Sequence, residues 1–229
     1  MNVIAHRSNS KGADKLYENT YASVQYCLEK GWGIEIDIRR SKEGEFYISH
    51  DPAEITMQNK AEKFCALIRE FPDLTVALNV KELGYEDDLI QFLMHESIIH
   101  QVFLFDMELL ESVPGKTASL FRELNPNVQI AARVSDRGES IDRALAISYA
   151  KIVWADEFET LWITSSIIKE LKAAGKLIYV ISPEIHGFPL DVAKQRWSQF
   201  IEWGVDGICT DYAMELQKLL ADNIKVDIK

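Results

Sequence analysis

Cysteine, positive charge and long apolar runs are all scarce in this sequence. The three cysteines, Cys27, Cys65 and Cys209, make no CxxC pair and no metal-ligand spacing. An odd, scattered set of this kind argues against a disulfide framework and points to buried free thiols in a reducing compartment. Lysine and arginine number 25 against 36 acidic residues, and the net charge of −11 disfavours nucleic acid or an anionic membrane as the main partner. No apolar run approaches the ~20 residues that a membrane span needs, so no integral membrane segment is expected. The opening "MNVIAHR" has no basic stretch leading into a long apolar one, so no signal peptide is visible. A soluble, cytoplasmic chain is the expectation.

What is present is a regular alternation. With 229 residues and 47% hydrophobic content, the chain can bury a large core. Short β-branched runs recur as strand candidates at 2–6, 33–39, 75–80, 101–106, 128–134, 151–155, 177–182 and 206–210. Several are almost continuously apolar, as parallel strands covered on both faces should be. Amphipathic stretches lie between them. "TYASVQYCLEKG" opens on Thr20 as N-cap and stops at Gly31, while "SSIIKELKAAGK" ends on Gly175. Eight such units without a dividing linker predict a (β/α)8 TIM barrel, one domain over 1–229. An open doubly wound sheet is the alternative, but no GxGxxG follows the first strand. The segment after the second strand breaks the rhythm with a turn at Glu43-Gly44, an extended run from Phe46 to His50, and a helical "NKAEKFCALIREFP". It reads as a short insertion at the barrel mouth.

The second strand, "GIEIDIRRS", alternates Ile34, Ile36 and Ile38 with Glu35, Asp37 and Arg39. Two carboxylates at i and i+2 on a strand stand about 7 Å apart on one face. In a barrel, the C-terminal ends of the strands build the site. That rule collects His6 and Arg7, Glu35 and Asp37, His50 and Asp51, and Asn79 and Lys81 on one rim. Two neutral-range bases can share proton transfer to and from a phosphodiester, and Arg and Lys suit its oxygens. Paired hard carboxylates suit Mg²⁺ or Ca²⁺. Each group alone has a bland reading: a structural histidine, a solvated acidic edge, a snorkelling lysine. Their joint occurrence on one rim favours a site. Further rim candidates are Asp106, Asp136, Trp154, Asp156 and His186, with Arg133 and Glu184 preferred as substrate contacts because inward charges late in apolar strands need partners.

"IAHRS", "YENTYAS", "IEIDIRRSKEGEFYISHDP", "ALNVKELG" and "GVDGICTDYA" resemble, in this order, the motifs of the glycerophosphodiester phosphodiesterase family. The resemblance covers the first ~80 residues and the end of the chain; residues 85–200 share only the barrel rhythm. It implies a metal-dependent barrel hydrolase of lipid metabolism acting on a small phosphodiester. By position, His6 and His50 would be the acid/base pair, Arg7 and Lys81 phosphate ligands, and Glu35, Asp37 and Asn79 the ligands of a divalent cation, Mg²⁺ or Ca²⁺. Glu18 would orient His6-Arg7 or the helix start, Asn19 and Thr20 would cap, and Thr210-Asp211 would be structural. Two positions depart from the pattern. Asn79 stands where the family has a third carboxylate, and Ser8 where it has glycine. A cyclising lyase and a non-catalytic barrel that only binds a phosphorylated ligand remain open as alternatives. So does the oligomeric state.

Overall fold

The structure, a computed structural model, describes residues 1–226. Nine strands form one sheet: β1 (Asn2–Ala5), β2 (Gly33–Arg40), β3 (Phe46–Ile48), β4 (Val76–Val80), β5 (Val102–Phe105), β6 (Gln129–Ser135), β7 (Ile152–Asp156), β8 (Leu177–Ile181) and β9 (Gly207–Thr210). β1 pairs in parallel with β9 on one side and with β2 on the other, which closes eight strands into a TIM barrel. β3 lies outside that ring, antiparallel to the end of β2, with Ile38 opposite Ile48. The eight expected strands are all present, each within a residue or two of its sequence bounds. The extended run expected from Phe46 to His50 is shorter, because His50 turns back towards the barrel after β3 ends.

Eight helices wrap the barrel: α1 (Tyr21–Glu29), α2 (Ala61–Ile68), α3 (Glu86–His95), α4 (Lys116–Leu124), α5 (Ile141–Ala146), α6 (Ser165–Ala173), α7 (Leu190–Trp203) and α8 (Ala213–Val226). Their ends follow local chemistry. The Thr20 hydroxyl accepts from the Ser23 N–H at 3.2 Å, satisfying one of the open donors of α1. Gly175 ends the turn after α6 at φ 75°, a left-handed geometry that costs a glycine little.

The chain packs two cores with different jobs. Ile34, Ile36 and Ile38 face outward from β2 and are buried beneath the helices. Inside the barrel, Ile4, Phe103, Phe105, Trp154, Tyr179 and Ile181 pack on one another, with Phe105 and Trp154 ring centroids 4.4 Å apart. This aromatic plug fills the barrel as layers of large side chains must. The inward face of β2 therefore cannot meet bulk water below the mouth. Glu35 and Asp37, which share it, are each 1% exposed.

Gly33 is tightly constrained at the start of β2. A Cβ there would lie 2.7 Å from the Thr75 carbonyl oxygen, a backbone atom that cannot rotate away. Gly33→Ala is expected to destabilise the fold by about 1–3 kcal/mol through overpacking. In a chain of this length each kcal/mol moves the melting midpoint by about 2–4 °C, so a thermal melt reads the effect.

Candidate active site

The C-terminal ends of the strands surround a cavity of about 310 Å³. His6, Arg7, Glu35, His50, Asn79, Lys81 and Arg133 all line it. The barrel thus brings seven of the nine expected site residues to one wall, from segments that are far apart in sequence.

The loop leaving β1 makes the first half. Arg7 and Ser8 sit at φ 47° and 61°, a region that non-glycine residues adopt only under constraint. The contacts that hold it start from the acids of β2. The Arg7 backbone N–H donates to Glu35 Oε2 at 2.8 Å, and the Asn19 N–H donates to the Arg7 carbonyl at 2.8 Å. Asn19 also grips Asp37 twice, donating from Nδ2 to Oδ2 at 2.8 Å and accepting from the Asp37 N–H at 3.2 Å. Asn19 is therefore a clamp on Asp37; its neighbour Thr20 alone does the capping. Glu18 Oε2 accepts from Arg7 Nη1 at 3.2 Å.

Two cationic side chains and a histidine face the two buried acids. Asp37 has Lys81 Nζ at 3.4 Å and Arg7 Nε at 3.6 Å, while Glu35 has His6 Nε2 at 3.9 Å. Even so, burial first, and then the charge of Asp37, push the Glu35 carboxyl up to about 7. The histidines diverge. Burial would lower His6, but its Nδ1–H donates to Asp211 Oδ1 at 2.8 Å, and this bond with the nearby Glu35 charge leaves its pKa raised. Burial and the charge of Arg7 lower His50, whose Nδ1–H donates to Asp51 at 3.0 Å. Arg39, on the inward register of β2, holds the His50 carbonyl through Nε at 3.0 Å and Nη2 at 2.7 Å.

A chain of hydrogen bonds across β4 to β7 makes the second half. Asn79 Nδ2 donates to Asp106 at 3.0 Å; Arg133 donates to both Asp106 and Asp156; His186 Nε2–H donates to Asp156 at 2.6 Å. Arg133 is 2% exposed and pinned between two acids, yet its Nε has no hydrogen-bond partner.

Two expected site residues lie off the cavity wall. Asp37 sits behind Arg7, Lys81 and Asn19. Glu184 is not placed as a substrate contact: it accepts from Ser182, from the Thr210 hydroxyl at 2.5 Å and from the Asp211 N–H at 3.2 Å, tying the turn after β8 to the end of β9. Asp211, expected to be structural, lines the cavity and holds His6. Asn19, Arg39 and Asp211 are what sequence reasoning missed. Arg39 had a signal, the same inward parity as Glu35 and Asp37. The other two depend on contacts 18 and 205 residues away.

Metal chemistry depends on the donors. Among the described residues no three His, Cys, Asp or Glu side chains are grouped to hold an ion. Glu35 presents a hard oxygen and Asn79 its amide to the cavity, while Asp37 lies behind the wall, engaged by Arg7, Lys81 and Asn19. The donors at the wall, one carboxylate and one amide, are of the hard-oxygen type that a divalent cation takes.

No protein-family model and no curated protein match the sequence. Solved structures do match. A glycerophosphodiester phosphodiesterase from Parabacteroides distasonis is 17% identical, with TM-score 0.74 over 97% of this chain and 98% of that one. One from Agrobacterium tumefaciens is 18% identical, with TM-score 0.67 over 93% and 100%. A phosphodiesterase from Oleispira antarctica, solved with the product sn-glycerol-3-phosphate, is 17% identical, with TM-score 0.69 over 96% and 97%. The chain has the glycerophosphodiester phosphodiesterase fold. At these identities the likeness is one of architecture over essentially the whole chain.

The His6–Asp211 bond sets a measurable property. Asp211→Asn removes the carboxylate that raises His6, so the His6 pKa is expected to fall below its wild-type value. An imidazole titration by NMR reads it; an unchanged His6 pKa would show that Asp211 does not control this ring.

Proposed function

We propose that this barrel is a phosphodiester hydrolase of the glycerophosphodiesterase type, cutting a glycerophosphodiester or a related small polar diester. One observation carries the reading: His6, His50, Arg7, Lys81 and Glu35 share the wall of a single cavity at the barrel mouth. Arg7 and Lys81 hold the phosphate oxygens. His50, with its lowered pKa, is neutral and takes a proton from the attacking water. The water oxygen bonds to phosphorus as the phosphorus–alcohol bond breaks. His6, with its raised pKa, gives its proton to the departing alkoxide, and Asp211 stabilises the imidazolium and fixes its orientation.

Glu35 and the Asn79 amide oxygen, in place of a family carboxylate, would hold Mg²⁺ or Ca²⁺ from the cavity wall, and Asp37 would join them by giving up a contact to Arg7 or Lys81. When bound, the ion supplies positive charge for the phosphoryl group. Asn79 and Ser8 are the residues that favour the rival reading, a barrel that binds a phosphorylated ligand without cleaving it. The two proton-carrying histidines with opposite pKa shifts favour catalysis, because binding alone requires neither. A cyclising lyase would use the same residues, with a substrate hydroxyl replacing water; phosphorus NMR of the product distinguishes a cyclic phosphate from a monoester.

His6→Ala and His50→Ala are each expected to reduce diester hydrolysis by at least ~10²-fold with the circular dichroism spectrum unchanged. Near-normal turnover in either would sink the pair. The pH profile of kcat/KM is expected to be bell-shaped, its acid limb below and its alkaline limb above the ordinary histidine pKa. It falls on the acid side, where His50 protonates below its ordinary pKa, and on the alkaline side, where His6 loses its proton above its ordinary pKa. In a calorimetric titration with Mg²⁺ or Ca²⁺, Asn79→Glu is expected to bind more tightly than wild type; equal or weaker binding would take Asn79 out of the ion's reach.

A further inference from the structure

The β1 loop has a second face. Behind it lies a cavity of about 540 Å³, larger than the catalytic one and within the ~300–1,000 Å³ range of small-molecule sites. Asn9 and Ala13 line both cavities, so the two adjoin along this loop.

The lining is specific in kind. Tyr17, Tyr26 and Tyr212 contribute rings, and Ser8, Ser10 and Ser23 contribute hydroxyls. Its charged groups are one Lys11 and one Asp14, so the wall is near neutral. The floor is held in place, with the Gly12 N–H donating to the Asp211 carbonyl at 2.9 Å and the Met214 N–H to the Ser10 carbonyl at 3.1 Å. Ser8 is the telling residue. It is 2% exposed, its Oγ has no hydrogen-bond partner, and it sits at φ 61°, where glycine would be at ease. Glycine there would relieve the backbone and remove the orphan hydroxyl at once. On packing grounds serine is the poorer residue at this position; a ligand that hydrogen-bonds the hydroxyl reverses that.

An acyl chain would leave the Ser8 hydroxyl without a partner, and a nucleotide would find no cluster of cations. A neutral ring carrying hydroxyls matches: its C–H face lies on tyrosine, and a hydroxyl supplies the partner that Ser8 Oγ lacks. We propose that the cavity behind the β1 loop is a subsite for the glycosyl arm of a sugar phosphodiester whose phosphate occupies the mouth. The proposal rests on the reading of the mouth as a phosphodiester site. The wall that the two cavities share is anchored to the mouth, because Asn9 Nδ2 donates at 2.9 Å to the same Asp211 oxygen that holds His6.

The test is calorimetric binding of four hexose 1-phosphates (glucose, galactose, mannose and N-acetylglucosamine) against sn-glycerol 3-phosphate and inorganic phosphate. At least one hexose phosphate is expected to bind about tenfold more tightly than glycerol 3-phosphate, a difference of one decade in Kd. Tyr17→Ala, at a side chain 61% exposed, and Ser8→Gly are expected to cut that preference to under about threefold, with glycerol 3-phosphate binding unchanged in Tyr17→Ala. Ser8→Gly is also expected to keep or raise the melting midpoint, which separates a ligand contact from a structural one. No preferred hexose, or a preference that survives both substitutions, overturns the subsite. A diesterase assay is read separately. Diester cleavage without hexose preference removes the subsite and leaves the hydrolase; hexose binding without cleavage of any diester does the reverse.

Discussion

The buried acid pair on β2 is the constraint on which the rest of the mouth depends. Glu35 and Asp37 project from one face of a strand into a barrel filled with aromatic rings, where an uncompensated carboxylate would cost several kcal/mol. Every neighbouring element answers that cost. The β1 loop bends through two positive-φ residues to present the Arg7 N–H to Glu35; Asn19 returns from before α1 to hold Asp37; Lys81 reaches in from the end of β4. The strain in that loop is held by hydrogen bonds whose acceptors are the acids themselves. The same contacts put two cationic groups and a histidine at the cavity wall, so charge compensation and the proposed phosphate recognition share one arrangement.

The far side of the barrel solves the same problem differently. Arg133 lies between Asp106 and Asp156, with Asn79 and His186 closing the ends of the chain. Phe158 covers it, with the Arg133 and Arg137 guanidiniums 4.9 and 4.1 Å from its ring centroid and the His186 ring at 4.2 Å. In this half Arg133 Nε and Glu108 Oε2 lack partners. The β1 half holds Glu35, its carboxyl pushed up by burial, and two histidines with opposed pKa shifts. Under the proposed function the chemistry lies between β1, β2 and β4, with the β5–β8 arc as the facing wall.

Asp211 ties the β1 loop to His6. One of its oxygens receives both His6 and Asn9, and its backbone is gripped by Glu184 and by Gly12.

Much was legible in the sequence where the cause is local. Strand alternation, the Thr20 cap and the Gly175 stop depend on neighbours a few residues away, and periodicity exposes them. The eight-fold rhythm then implied a closed barrel, and closure by β1 against β9 brought His6, Arg7, Glu35, His50, Asn79 and Lys81 to one wall. Tertiary structure decided the rest, because the same residue types serve different ends according to what faces them. Asp37 and Glu184 carry the charge expected of ligands, but cations and hydroxyls from other strands already engage them. Asp211 sits beside Thr210 in a motif that looked purely structural, and only the meeting of β9 with β1 makes it the partner of His6. Sequence by itself determined which faces are apolar and where chain direction reverses. The fold alone decided which buried charges are balanced and which remain to act, since that balance is set across the barrel by groups up to 205 residues apart.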